Sequence, residues 1–156
     1  MINGTPAEVG GRWSDLIADL KATADELREA GYETIAVHAG DVTPRADELT
    51  LDVLVPDNEF DQLRTLAADA TVDEFAVYAA TEGQVTFAVV AGRDPEANVA
   101  VCWPVYVTAA DGGPLRKRAL AADRLEFRLR PLGNDREVRF AMSDPAVLFE
   151  PAATEE

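Results

Sequence analysis

The chain has 156 residues, with 29 Asp+Glu against 14 Lys+Arg, a formal net charge of −15 and a sequence pI near 4.3. Apolar residues make up 47% of it, interleaved with the acid, which excludes a disordered acidic tail; no apolar run approaches the roughly 20 residues of a membrane span. A single cysteine, Cys102, excludes an internal disulfide, and the length predicts one domain with a core large enough to need no staple.

Residues 1–11, with Gly4, Pro6, Gly10 and Gly11, read as a mobile leader. Trp13, Leu16, Ile17, Leu20, Ala24 and Leu27 then recur at helical spacing, and Gly31 stops the helix. Residues 33–38 read as a short strand and 39–44 as a loop. Leu49, Leu51, Val53 and Val55 alternate with Thr50 and Asp52, a half-buried strand ended by Pro56. A second helix presents Phe60, Leu63, Leu66, Ala67 and Ala70. A three-strand meander follows: alternation from Glu74 to Ala79, a nearly continuous apolar run from Val85 to Ala91, and Val99 to Val107. Pro104 in the third strand predicts an edge or a bulge. Gly112-Gly113-Pro114 opens a weakly amphipathic helix through Ala122. Leu125, Phe127 and Leu129 alternate with Glu126, Arg128 and Arg130. A turn over residues 132–135 leads to Val138 and Phe140, and Asp144-Pro145 starts a last helical turn with Phe149. Residues 151–156 read as a frayed acidic tail.

The predicted fold is therefore α+β, over a single domain at 12–150. It is a two-layer, mostly antiparallel sheet with helices on one face, in the order α-β-β-α-β-β-β-α-β-β.

The charge is unevenly placed. Eight of the 14 basic residues fall in 116–139, among four acids, so that stretch carries +4 and the rest −19. Only Lys21 and Lys117 are lysines. An acidic, lysine-poor surface suits a salt-saturated cytoplasm, where carboxylates hold water and cations and a Debye length of about 3 Å screens their repulsion. The N-terminus lacks a basic region and an apolar stretch, so the expected location is cytoplasmic.

Several phrases together resemble a known family: Trp13-Ser14-Asp15-Leu16-Ile17, Val37-His38-Ala39-Gly40-Asp41-Val42, Leu51-Asp52-Val53-Leu54-Val55-Pro56-Asp57, Leu129-Arg130-Pro131-Leu132 and Asp144-Pro145-Ala146-Val147-Leu148-Phe149. The chain is similar over about residues 12–150 to small haloarchaeal proteins that form a domain family of unknown function. The resemblance implies a halophile and no activity.

Catalytic chemistry finds little to use. His38 is the only histidine; with Asp41 and Asp47, and Glu48 beside them, it forms the one candidate set for Mg²⁺, Mn²⁺ or Fe²⁺. A histidine at a strand end and an aspartate in a turn are equally ordinary structural choices. Ser14 and Ser143 read as helix caps, no Gly-x-Ser-x-Gly or Gly-Lys-Ser/Thr occurs, and an apolar setting makes Cys102 inert. The basic stretch is the candidate partner surface: Arg116, Lys117, Arg118, Arg124, Arg128, Arg130 and Arg139. Alternation places Arg128 and Arg130 away from the core, with Arg139 opposite, so replacing the first two by glutamine is expected to change stability little.

The expected function is a non-catalytic, cytoplasmic interaction or regulatory module of a halophile, with a protein partner, no cofactor and no membrane association. The alternatives are a metal-assisted hydrolase or nuclease at His38 and a nucleic-acid-associated regulator using 116–139.

Overall fold

The computed structural model describes residues 7–133 and 136–150, with side chains from Arg12 onward. Helix α1 (Ala7–Glu29) begins inside the expected leader, so residues 7–11 are helical; residues 1–6, the turn residues 134–135 and the expected tail at 151–156 lie outside the described residues. The apolar stripe does what its spacing predicts: Leu16, Leu20 and Ala24 are buried, and Asp15, Asp19, Asp25 and Glu26 face solvent. Gly31, at φ 100°, takes the left-handed position that ends the helix.

The strands are β1 (Glu33–Ala36), β2 (Asp41–Arg45), β3 (Thr50–Val55), β4 (Glu74–Glu82), β5 (Val85–Asp94), β6 (Val99–Thr108), β7 (Leu125–Pro131) and β8 (Val138–Met142). Helices α2 (Asp57–Ala67), α3 (Ala109–Ala122) and α4 (Ala146–Phe149) lie between and after them. The order follows the sequence reading with one strand added: β2 occupies the segment read as a loop. It is the outer strand of its sheet, where Pro44 costs no ladder hydrogen bond.

The fold is α+β, and its strands divide between two sheets rather than one. The first has the order β1-β6-β5-β4 and the second β2-β3-β7-β8. Both are mixed: β1 runs parallel to β6 and β3 parallel to β7, while the other pairings are antiparallel.

The reason for two layers lies in β6, where residues 99–107 are buried on both faces. Trp103 packs at 5.2 Å from Phe127 and, stacked, at 5.2 Å from Phe140, both in the second sheet. On the opposite face Tyr106 meets Trp13 of α1 edge-on at 5.6 Å. Helix α1 thus covers the outer side of the first sheet. Helices α2 and α3 bridge the sheets instead: α2 touches β7 of one sheet and β1 and β6 of the other, and α3 touches both β6 and β2, while α4 touches β4 and β5 of the first sheet.

Pro104 marks no bulge, but it does lie on a local edge. The β5–β6 register is unbroken across it, and the β1–β6 register stops at Cys102, so the proline nitrogen lies on the side of β6 that β1 no longer pairs.

Candidate functional site

Period-two alternation in β7 sends Leu125, Phe127 and Leu129 inward and Arg128 and Arg130 to the outer face of the second sheet. Arg139 of β8 stands directly across from Arg128 on that face. What the sequence does not show is the carboxylate beneath them. Asp52 of β3 is in register with Arg128, and its side chain is only 2% exposed. Arg130 Nε donates to its Oδ1 at 2.8 Å, Arg128 Nη2 to its Oδ2 at 3.1 Å, and Arg45 Nε lies 3.5 Å from Oδ2. Burial of Asp52 pushes its pKa up. The hydrogen bonds and charges of Arg130 and Arg128 outweigh that and hold the carboxyl below its ordinary value.

The rest of the face is equally paired. Arg128 Nη1 donates to Glu48 at 3.1 Å, Arg139 contacts Glu126 at 3.0 Å and also Glu137, and Arg124 contacts Glu126. Hydrogen bonding from Arg124 leads the causes that hold Glu126 low, against its burial. Arg116 pairs with Glu150 at 2.9 Å and Arg118 lies 3.8 Å from Asp47. Lys117 is exposed and has no ion pair among the described residues. The seven candidate partner residues therefore do not form one patch. Those on α3 reach Glu150 at the end of α4 and the turn before β3, and the hairpin arginines form a charge lattice with β3.

The candidate metal set is dispersed. His38 Nδ1 lies 2.8 Å from Glu59 Oε2, and the His38 amide donates to Oε1 at 2.6 Å, so one carboxylate in the first turn of α2 ties down the β1–β2 connection. Asp41 accepts hydrogen bonds from the Val42 amide at 3.1 Å and the Tyr106 hydroxyl at 3.4 Å. Asp47 points to solvent beside Arg118. No group of three or more His, Cys, Asp or Glu side chains that could hold a metal ion occurs among the described residues. Cys102 is fully buried, and burial pushes its thiol up to about 12, the inert setting that its apolar neighbours predict.

A different feature stands open. β4 is the outer strand of the first sheet, pairs with β5 without a break from Glu74 to Glu82, and makes no other backbone hydrogen bond among the described residues. A trough of about 690 Å³ runs along it, between Leu16 and Asp19 of α1 and Ala146 and Val147 of α4. Four consecutive β4 residues, Val77 to Ala80, line this trough. Successive strand residues point to opposite faces, so a groove that touches all four follows the strand's edge. Tyr78 is 58% exposed and Val147 38%, two of the three large apolar side chains exposed among the described residues. Alternation identified the strand; only the strand order shows that its edge is free.

No helix among the described residues is long and apolar enough to cross a membrane. The chain belongs to DUF7529, a family of unknown function whose model matches residues 2–150. No curated protein and no solved structure matches it.

Proposed function

We propose that this DUF7529 member is a non-catalytic interaction module of a high-salt cytoplasm, and that it meets its protein partner along the β4 edge rather than across the arginine face. The observation that carries this reading is the unpaired edge of β4 along the trough. An exposed strand edge is a template for another chain, and proteins that avoid such pairing blunt it with short strands, proline, bulges or inward charges. β4 has nine residues, no proline and no lysine, and its register shows no bulge. Its charges are confined to the two end residues, in a chain of net −15. The acidity and the scarcity of lysine support the high-salt setting, as does the resemblance to haloarchaeal proteins.

The arginine face supports a partner less well. An incoming phosphate or carboxylate would have to displace Asp52, Glu48 or Glu126 from guanidiniums they already hold. In molar salt, counterion release no longer favours phosphate binding either.

Affinity capture from native lysate in molar KCl, with mass spectrometry and RNA sequencing, tests the reading. Tyr78→Glu is expected to lose the partner that the parent chain retains. Lys117→Gln with Arg139→Gln is expected to retain it. The reverse pattern, with co-purifying RNA, moves the function to the basic segment.

A further inference from the structure

We infer that the β4 edge is a self-association surface, and that its occupant is the β4 of a second copy of this chain, paired antiparallel about a two-fold axis at Tyr78. The inference rests on the β4 edge being the interaction surface, and it names the partner.

The strand is symmetric in the way such an axis requires. Glu74 and Glu82 each lie four residues from Tyr78, and the seven residues between them carry no charge. Antiparallel pairing about Tyr78 sets Glu74 of one copy opposite Glu82 of the other. Two bare glutamates facing each other across a ladder would repel. Here each has an arginine beside it: Arg93 Nε lies 3.3 Å from Glu74, and Arg12, which also pairs with Asp15, has its Nε 3.3 Å from Glu82. Arg93 stands across from Glu74 on β5, behind it as seen from the free edge, so at each end two glutamates face each other with their charges compensated from behind or beside them by arginine.

The side chains fit the same axis. Glu74, Ala76, Tyr78, Ala80 and Glu82 share one face of the strand, the face toward α1. The two exposed residues beside Tyr78 on that face are alanines. Each tyrosine ring can lie over the second copy's Ala76 or Ala80, its diagonal neighbours across the pair. On the other face Val77 meets Ala79 and Phe75 meets Thr81. Large stands against small at each position, and tyrosine at the centre of an interface is a common anchor.

Electrostatics gives the association an unusual sign. Two bodies of like net charge repel at low ionic strength, and molar salt removes that cost while leaving the apolar and backbone contacts. A complex built on arginines and phosphate weakens over the same range.

Sedimentation velocity of the purified chain at 0.1 M and 2 M KCl tests this, and the expected result is a dimer whose association constant rises with salt. Tyr78→Glu, which sets two carboxylates face to face on the axis, is expected to weaken it by about 30-fold or more. Leu132→Glu, at the exposed large apolar side chain that does not line the trough, is expected to leave it intact. Hydrogen exchange on the unmodified chain gives a reading that needs no variant: alternate β4 amides gain protection as protein concentration rises. A chain that stays monomeric to about 1 mM at both salts overturns the inference. So does a dimer indifferent to Tyr78→Glu, one broken by Leu132→Glu, or β4 protection independent of concentration. If the chain is monomeric and lysate capture still depends on Tyr78, only the second copy fails as partner. If capture too is indifferent to Tyr78, the β4 reading fails with it.

Discussion

Asp52 is buried beneath three arginines, and the surroundings of this one carboxylate reverse an expectation drawn from strand alternation alone. Arg128 and Arg130 point away from the core as predicted, but their side chains are only 15% and 30% exposed because they close over Asp52. Exposed pairs such as Arg28–Asp25 contribute roughly 0–1 kcal/mol. Removing the partners of a buried charge costs about 3–5 kcal/mol, because the charge stays behind unpaired. Replacing Arg128 and Arg130 together by glutamine leaves Arg45 as the one cation on Asp52, so it is expected to lower the unfolding free energy by less than that, about 1–3 kcal/mol in chemical denaturation, with Asp25→Asn as the near-neutral control. A second consequence follows from the same cluster. The folded pKa of Asp52 lies below its ordinary 3.8, so its stabilisation is complete above that value and is lost as pH falls through the folded one. Asp94 adds to it: the Thr71 amide, at 2.7 Å, leads the causes that hold its carboxyl low, burial opposes, and the amides of Ala97 and Glu96 assist. In molar KCl, where general repulsion is screened, stability is expected to drop below about pH 4, and Asp52→Asn is expected to shrink that drop. A pH profile identical in the two chains would remove Asp52 from this role.

Helix α3 shows how close packing between elements overrides a local signal. Gly112-Gly113-Pro114 reads as the loop that opens the helix, yet the helix begins at Ala109, where Thr108 Oγ1 caps it by accepting from the Asp111 amide at 3.1 Å. Pro114 lies inside the helix. Gly112 is there because β6 leaves no room: a Cβ on it would stand 2.0 Å from Val107 Cγ1. Alanine is the better helix former by about 1 kcal/mol, but the overlap costs about 1–3 kcal/mol. Gly112→Ala is therefore expected to destabilise in the parent chain and to become neutral or stabilising when Val107→Ala supplies the space. Equal effects in both backgrounds, measured as a double-mutant cycle by denaturation, would sink the steric account. The elements legible in the sequence were those whose period answers to burial alone, such as α1 and β7. β2 was not legible because it has one strong apolar residue, Val42, and a proline tolerated only at an edge. The split into two sheets follows from Trp103 meeting Phe127 and Phe140 across the layers, and no local pattern encodes that choice of partner. The arginine face was legible and the depth of Asp52 was not, since its cover comes from the parallel β3–β7 pairing, 76 residues away in sequence at Arg128. The free edge of β4 depends wholly on strand order.

At the scale of the whole molecule the governing quantity is net charge over area. A surface of 8013 Å² shared among 15 net negative charges gives each about 530 Å², a spacing of about 23 Å, which lies between the Debye lengths of roughly 30 Å at 0.01 M and 10 Å at 0.1 M salt. Repulsion among the carboxylates therefore acts in dilute buffer and is mostly screened by a few tenths molar. That separates two contributions that a single high-salt measurement would merge. Screening alone predicts a melting temperature that climbs steeply at low KCl and then levels. Carboxylates adapted to salt-saturated cytoplasm also organise water and cations, and that contribution continues to grow toward molar KCl. The buried Arg–Asp52 cluster does not cancel the gain, because salt screens buried pairs far less than exposed ones. The melting temperature is expected to rise through both ranges, by about 2–4 °C for each kcal/mol gained in a chain of this size. A profile flat from dilute buffer to molar KCl would contradict both contributions. One that levels by about 0.3 M would leave only screening, and the high-salt cytoplasm would lose its physical support.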